Sequence, residues 1–112
     1  MQCIFCDIGR KTVKAKVVWE SDKYMAFEDI NPHAPVHIIV IPKEHMEKTD
    51  TINGLHKGFW DEIYAVAHEV IQKYELNETG YKIVNNGAGY NHLEHEHLHV
   101  LGGNGWTPNY QP

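Results

Sequence analysis

Leu93-Glu94-His95-Glu96-His97-Leu98-His99-Val100-Leu101, closed by Gly102-Gly103, is the stretch that decides the fold. Read as a strand, it sends side chains to alternate faces. His95, His97 and His99 then point the same way, about 7 Å apart from one to the next. Three imidazoles on one face of a buried strand are costly unless they have partners or a task. Val100, Leu101 and the glycine pair mark an ordered core strand; a solvated polar face with chance histidines is the plain alternative. Two chemistries use such a row. One is metal ligation by alternate histidines. The other is nucleophilic transfer at phosphorus, in which a neutral imidazole attacks and its neighbours stabilise the charged oxygens. A barrel-type metal site would want a further Glu and His downstream, and after His99 neither follows.

Working outward, residues 16–20 and 24–28 are short apolar and aromatic runs separated by Ser21-Asp22-Lys23, which predicts a β-hairpin. Asn31-Pro32-His33-Ala34-Pro35 is a stiff loop, each proline biasing the residue before it away from helix. His37 to Ile41 is almost continuously apolar and stops at Pro42, as a central strand would. Over residues 54–74 the period changes. Leu55, Phe59, Ile63, Val66 and Val70 recur at steps of three and four, widened by Trp60, Ala67, Ile71 and Tyr74. That predicts the one long amphipathic helix. Residues 3–9 suit a short N-terminal helix, and residues 81–85 and 93–101 complete the strands. The expected class is α+β: about five mostly antiparallel strands with one main helix on a face, in a single domain over residues 1–112.

The composition fits that size. The 112 residues are 42% hydrophobic and 22% charged, ordinary for a globular domain. A net charge of −5 argues against a long nucleic-acid groove but leaves room for a mononucleotide site. No apolar run approaches the roughly 20 residues of a membrane helix, and no signal peptide is visible. No nucleic acid, no membrane and a cytoplasmic location are therefore expected. Nine histidines against ten Lys plus Arg point to a metal site, phosphate chemistry, or both. Cys3-x-x-Cys6 in such a chain suits a metal better than a disulfide, with simple packing of the two cysteines as the alternative.

The run H-E-H-L-H-V-L followed by G-G resembles the signature of the histidine-triad (HIT) family, His-φ-His-φ-His-φ-φ with φ apolar. The likeness covers nearly the whole chain and is similar to the short Hint-like branch: C-I-F-C-D-I, F-E-D-I-N-P, H-I-I-V-I-P-K-E-H, V-N-N-G, then the triad and a tail with Trp and Pro. The resemblance implies that His97 is the nucleophile, forming a nucleotidyl-histidine that water hydrolyses, with its other nitrogen held by the His95 carbonyl. His99 and His37 match histidines that contact the phosphate. Asp29 matches the acid that binds the ribose hydroxyls, with turn capping as its alternative. Asn85 matches an asparagine near ribose and phosphate. Ile4, Phe5, Ile8, Phe27 and Ile30 match the base pocket, and core packing explains them almost equally well.

The resemblance further implies a structural zinc on Cys3, Cys6, His45 and His95, with His92 as an alternative fourth ligand. It implies a purine nucleotide or nucleoside monophosphate derivative as substrate, phosphoramidates foremost, and a homodimer. Dinucleoside polyphosphate hydrolysis and a non-catalytic nucleotide-binding scaffold are the rival functions. The tail residues Trp106 and Tyr110 would approach a partner's active site. Three departures stand out. Glu96 occupies an apolar signature position, facing away from the triad, where a cation such as Lys57 or Lys73 or a solvent edge would accommodate it. The loop before the triad is one residue short. Tyr90-Asn91-His92 replaces the family's Gly-Gln-Ser/Thr/Val, whose hydroxyl, where present, helps the leaving group; Asn91 and His92 are candidate nucleotide contacts, and His92 would act as the acid, bind zinc or simply sit in the loop.

Overall fold

The computed structural model describes residues 3–103. Its elements run α1 (Ile4–Gly9), β1 (Val17–Glu20), β2 (Tyr24–Glu28), β3 (Val36–Pro42), α2 (Lys48–Ile52), α3 (Phe59–Lys73), α4 (Leu76–Thr79), β4 (Tyr81–Val84) and β5 (Leu98–Gly102). The five strands form one sheet in the order β1-β2-β3-β5-β4, every pair antiparallel. The expected hairpin is β1–β2, and the expected central strand is β3.

Period-two alternation sorts the two faces. Tyr24, Ala26, Ile38, Val40, Leu98 and Val100 turn toward α3 and pack on Phe59, Ile63, Val66, Ala67 and Val70. Met25, Phe27, Ile39 and Ile41 turn the other way and pack on Phe5 and Ile8 of α1. His99 pairs with Ile39 across β3–β5, and His37 pairs with Leu101. Both histidines therefore lie on the α1 face, as diagonal neighbours. The apolar α3 face holds the sheet rigid from behind, and the chemistry-bearing residues emerge on the opposite side.

The structure corrects two boundaries. The last strand begins at Leu98, not at Leu93. Residues 94–96 leave the sheet and pair with the segment after β3: the Lys48 N–H donates to Glu94 O (3.0 Å), the Glu96 N–H donates to Met46 O (2.8 Å), and His95 bridges Glu47. The long helix begins at Phe59, not at Gly54. Gly54 (φ 77°) and Gly58 (φ 79°) both adopt left-handed backbone, which breaks the helical path. Leu55 continued the sequence period by coincidence and is 68% exposed. The short helices α2 and α4 carry too few apolar repeats to announce themselves.

Gly102 is needed for close approach. A methyl at its Cα would overlap the Gly80 carbonyl oxygen and stand 3.1 Å from Tyr81 Cα, both backbone atoms that cannot swing aside. Gly102→Ala is expected to cost about 1–3 kcal/mol by overpacking, lowering Tm by roughly 5–15 °C in a thermal melt.

Candidate active site and metal centre

His97 sits one residue before β5 and is 5% exposed. Its Nδ1 lies 2.9 Å from the His95 carbonyl oxygen. A carbonyl cannot donate, so Nδ1 carries the proton and Nε2 keeps a free lone pair. Burial pushes the His97 pKa down, favouring the neutral ring. The Phe5 ring meets His97 edge-on at 4.9 Å and limits its rotation.

A second chain of bonds fixes the neighbouring tautomers. The His33 backbone N–H donates to His37 Nδ1 (3.1 Å), which puts the His37 proton on Nε2. That N–H faces His99 Nδ1 at 2.9 Å and Asp29 Oδ2 at 3.3 Å. His99 then accepts at Nδ1 and offers its Nε2–H outward. The His99 ring centroid is 5.0 Å from that of His97. Burial, together with His97 and His37, lowers the His99 pKa to about 4. Burial also lowers His37, against the pull of Asp29. The ligand atoms of Asp29, His37 and His99 are close enough to hold a cation. However, metal at His37 Nε2 would require that nitrogen to lose its proton while Nδ1 still accepts from His33. The cluster reads better as a hydrogen-bond chain.

These shifts set an acid limit on stability. Below its ordinary 6.5, His99 binds a proton when unfolded but stays neutral when folded down to about 4. Stability is therefore intact above 6.5 and lost as pH falls toward 4. Wild type minus His99→Asn, followed by urea midpoint against pH, should show a loss on the order of 1–2 kcal/mol across that window, reduced by solvent screening of the partly exposed ring.

Four further side chains converge beneath the triad. The ligand atoms of Cys3, Cys6, His45 and His95 lie within 4.8 Å of one another. His95 Nδ1 is 3.3 Å from Cys3 Sγ and 3.4 Å from Cys6 Sγ, and His45 Nδ1 is 3.3 Å from Cys6 Sγ. Each imidazole is fixed from behind: His95 Nε2–H donates to Pro42 O (2.7 Å), and His45 Nε2–H donates to Glu47 Oε1 (3.0 Å). Both Nδ1 atoms thus present lone pairs to two sulfurs, the donor set and outer support of a tetrahedral zinc site. Burial and the neighbouring Cys3 push the Cys6 thiol up to about 11. Burial also pushes Cys3 up, but its bonds from the Cys6 backbone N–H and thiol prevail and hold it lower. A cation held between them would favour ionisation of both thiols.

The remaining expected residues divide. Asp29 faces His37 and also caps the turn, its Oδ1 accepting the Asn31 N–H at 2.8 Å. Asn85 Nδ2 donates to Glu96 Oε1 (2.7 Å) and to the His97 carbonyl (3.1 Å). Phe5, Ile8 and Phe27 are buried in the α1-side core, whereas Ile4 and Ile30 are exposed, at 43% and 91%. Asn91 binds within its own loop, to Leu93 O and Glu94 Oε1. His92 is exposed and is not in the cysteine cluster. Trp106 and Tyr110 lie outside the described residues. Glu96 is neither at a solvent edge nor paired with Lys57 or Lys73; it is 1% exposed and bound to Lys48. Lys48, Thr51 and Glu47 were missed by sequence reasoning. A carboxylate at an apolar signature position was the available signal, because it demanded a buried cation.

Residues 2–106 match the family described as scavenger mRNA decapping enzyme C-term binding. A HIT family hydrolase from Legionella pneumophila superposes with a TM-score of 0.87 at 35% identity, covering 96% of this chain and 98% of its own. The chain belongs to the histidine-triad family. A 14 kDa zinc-binding protein from Zea mays is 39% identical over 114 residues, spanning 94% of this chain and 86% of the relative. A histidine triad nucleotide-binding protein from Candida albicans gives a TM-score of 0.77 at 26% identity, covering 99% of this chain and 87% of its own. The matched span takes in all the histidine-triad residues described above.

Proposed function

We propose that this histidine-triad protein is a nucleotide-binding hydrolase that cleaves purine nucleoside phosphoramidates or related nucleoside monophosphate derivatives through a nucleotidyl-histidine. The observation that carries the reading is the single tautomer of His97, with Nδ1–H on the His95 carbonyl and Nε2 unprotonated. In the first step the Nε2 lone pair forms a bond to the α-phosphorus as the phosphorus–amine bond breaks. The leaving nitrogen takes up one proton. In the second step water attacks phosphorus, the His97–phosphorus bond breaks and one proton is released, so protons balance. His99 Nε2–H would stabilise charge on the phosphoryl oxygens, and Asp29 would accept from ribose hydroxyls. With Phe5, Ile8 and Phe27 in the core, the exposed Ile4 and Ile30 are the better candidates to touch the base.

Zinc belongs to the same proposal. Cys3, Cys6, His45 and His95 would hold it, and when bound it would supply structural cross-linking beneath the nucleophile. The named activities of the Legionella and Candida proteins and the name of the maize protein support the hydrolase, nucleotide and zinc parts of this reading. A homodimer and a cytoplasmic setting remain part of it. The decisive experiment measures AMP release from an adenosine phosphoramidate by wild type and by His97→Asn; equal, negligible release from both overturns the enzyme reading.

A further inference from the structure

We infer that Glu96, clamped by Lys48, Thr51 and Asn85, is a positioning residue for His97; this rests on the hydrolase reading above. The Glu96 side chain points away from the histidine face, yet it reaches His97 through the backbone. Its Oε1 accepts from Lys48 Nζ (2.5 Å), Asn85 Nδ2 (2.7 Å) and the His97 backbone N–H (2.9 Å). Its Oε2 accepts from the Thr51 hydroxyl (2.5 Å). Asn85, oriented by that carboxylate, makes its second bond to the His97 carbonyl (3.1 Å). The N–H and the C=O of the nucleophile's own backbone are thus both tied to one buried anion. Lys48 and Thr51 stand one turn apart on α2, and the Trp60 indole N–H anchors α2 through Thr51 O (3.1 Å). No buried side-chain polar atom lacks a partner among the described residues.

Stability alone does not account for this arrangement. A buried ion pair is generally matched or bettered by apolar residues of similar size, and an apolar residue is what the signature has here. The network supplies directionality. His97 precedes β5 and lacks the ladder that holds His99, so its backbone needs another restraint. Reacting atoms misplaced by about 1 Å lose roughly a hundredfold in rate.

The test is the double variant Glu96→Val/Lys48→Met, which removes both charges together, with Glu96→Gln beside it. Measurements are kcat, KM, AMP affinity, Tm, and the imidazole nitrogen shifts of His97 by NMR. The expected result for the double variant is a wild-type-like Tm, AMP affinity within twofold, kcat lower by about 10- to 100-fold, and His97 nitrogen signals shifted toward a tautomer average. Glu96→Gln is expected to lose less kcat, because it keeps an oxygen for the His97 N–H. A folded double variant with kcat within threefold of wild type overturns the inference. So does a kcat loss accompanied by an equal loss of AMP affinity, which would mark general damage. If wild type itself releases no AMP, the hydrolase reading fails, and the nitrogen shifts decide on their own. Unchanged His97 signals overturn the positioning role, and averaged ones support it.

Discussion

Exchanging His97 for asparagine is expected to reduce AMP release by about ten-thousandfold or more while leaving the fold standing. The size follows from losing a nucleophile outright rather than a group that assists one. The fold should survive because the asparagine amide can still donate to the His95 carbonyl, where Nδ1 of the imidazole donates now. What disappears is Nε2, the only atom of His97 proposed to bond phosphorus. Rapid quenching with a substrate labelled in its nucleotide should trap label on wild type and none on the variant. A variant retaining more than a few per cent of wild-type rate, with no trapped label on either protein, would sink the covalent mechanism. His99→Asn should behave differently. It keeps the nucleophile but removes one charge-stabilising donor, an effect on the order of a hundredfold for such groups.

Removing the Cys3–Cys6 pair is expected to abolish zinc binding and lower the melting temperature by about 15 °C. Wild type should carry one zinc per chain, and Cys3→Ala/Cys6→Ala none. A metal held at a thousandfold over its dissociation constant contributes about 4 kcal/mol, which is roughly that shift for a chain of this size. The geometry makes the loss more than local. His95 is both a member of the quartet and the source of the carbonyl that sets the His97 tautomer. Chelator-treated wild type should match the double variant in Tm, and zinc should restore wild type alone. Metal that persists after loss of both cysteines would instead place it on the triad and refute the structural assignment.

β2 and β3 were legible as strands because their residues are almost continuously apolar, but their faces were not, since both are buried. The histidine row was legible because its histidines stand at alternate positions, although its strand proved shorter. Pairing partners for residues 94–96 come from Met46 to Lys48, a polar stretch with no periodicity of its own. The α3 boundary was obscured because Leu55 keeps helical spacing across two glycines whose backbone conformation the letters do not reveal. In the candidate site, histidines and cysteines announced themselves by chemistry. Lys48 and Thr51 did not, since a lysine in a polar segment looks like any surface lysine until the fold buries it at 6% exposure. The His97 tautomer was expected through the family resemblance alone; those of His37, His45 and His95 were illegible, being set by the His33 N–H, the Glu47 carboxylate and the Pro42 carbonyl.

The strand order also constrains how the chain can assemble. Among the described residues, the last strand to be synthesised is not added at an edge; it slots between β3 and β4. One thiol–imidazole approach of the metal quartet, Cys3 to His95, joins residues 92 positions apart. An emerging polypeptide can form its first three-stranded meander early, but β4 has no neighbour until residues 98–102 arrive. Closure on so distant a partner is slow, and until it happens two flanking strand edges stay open to other chains. Nucleophile, metal quartet and sheet closure therefore all arrive in one late event. A growing chain passes through a stage that can aggregate but cannot yet catalyse, and early release from the ribosome yields no partly active fragment.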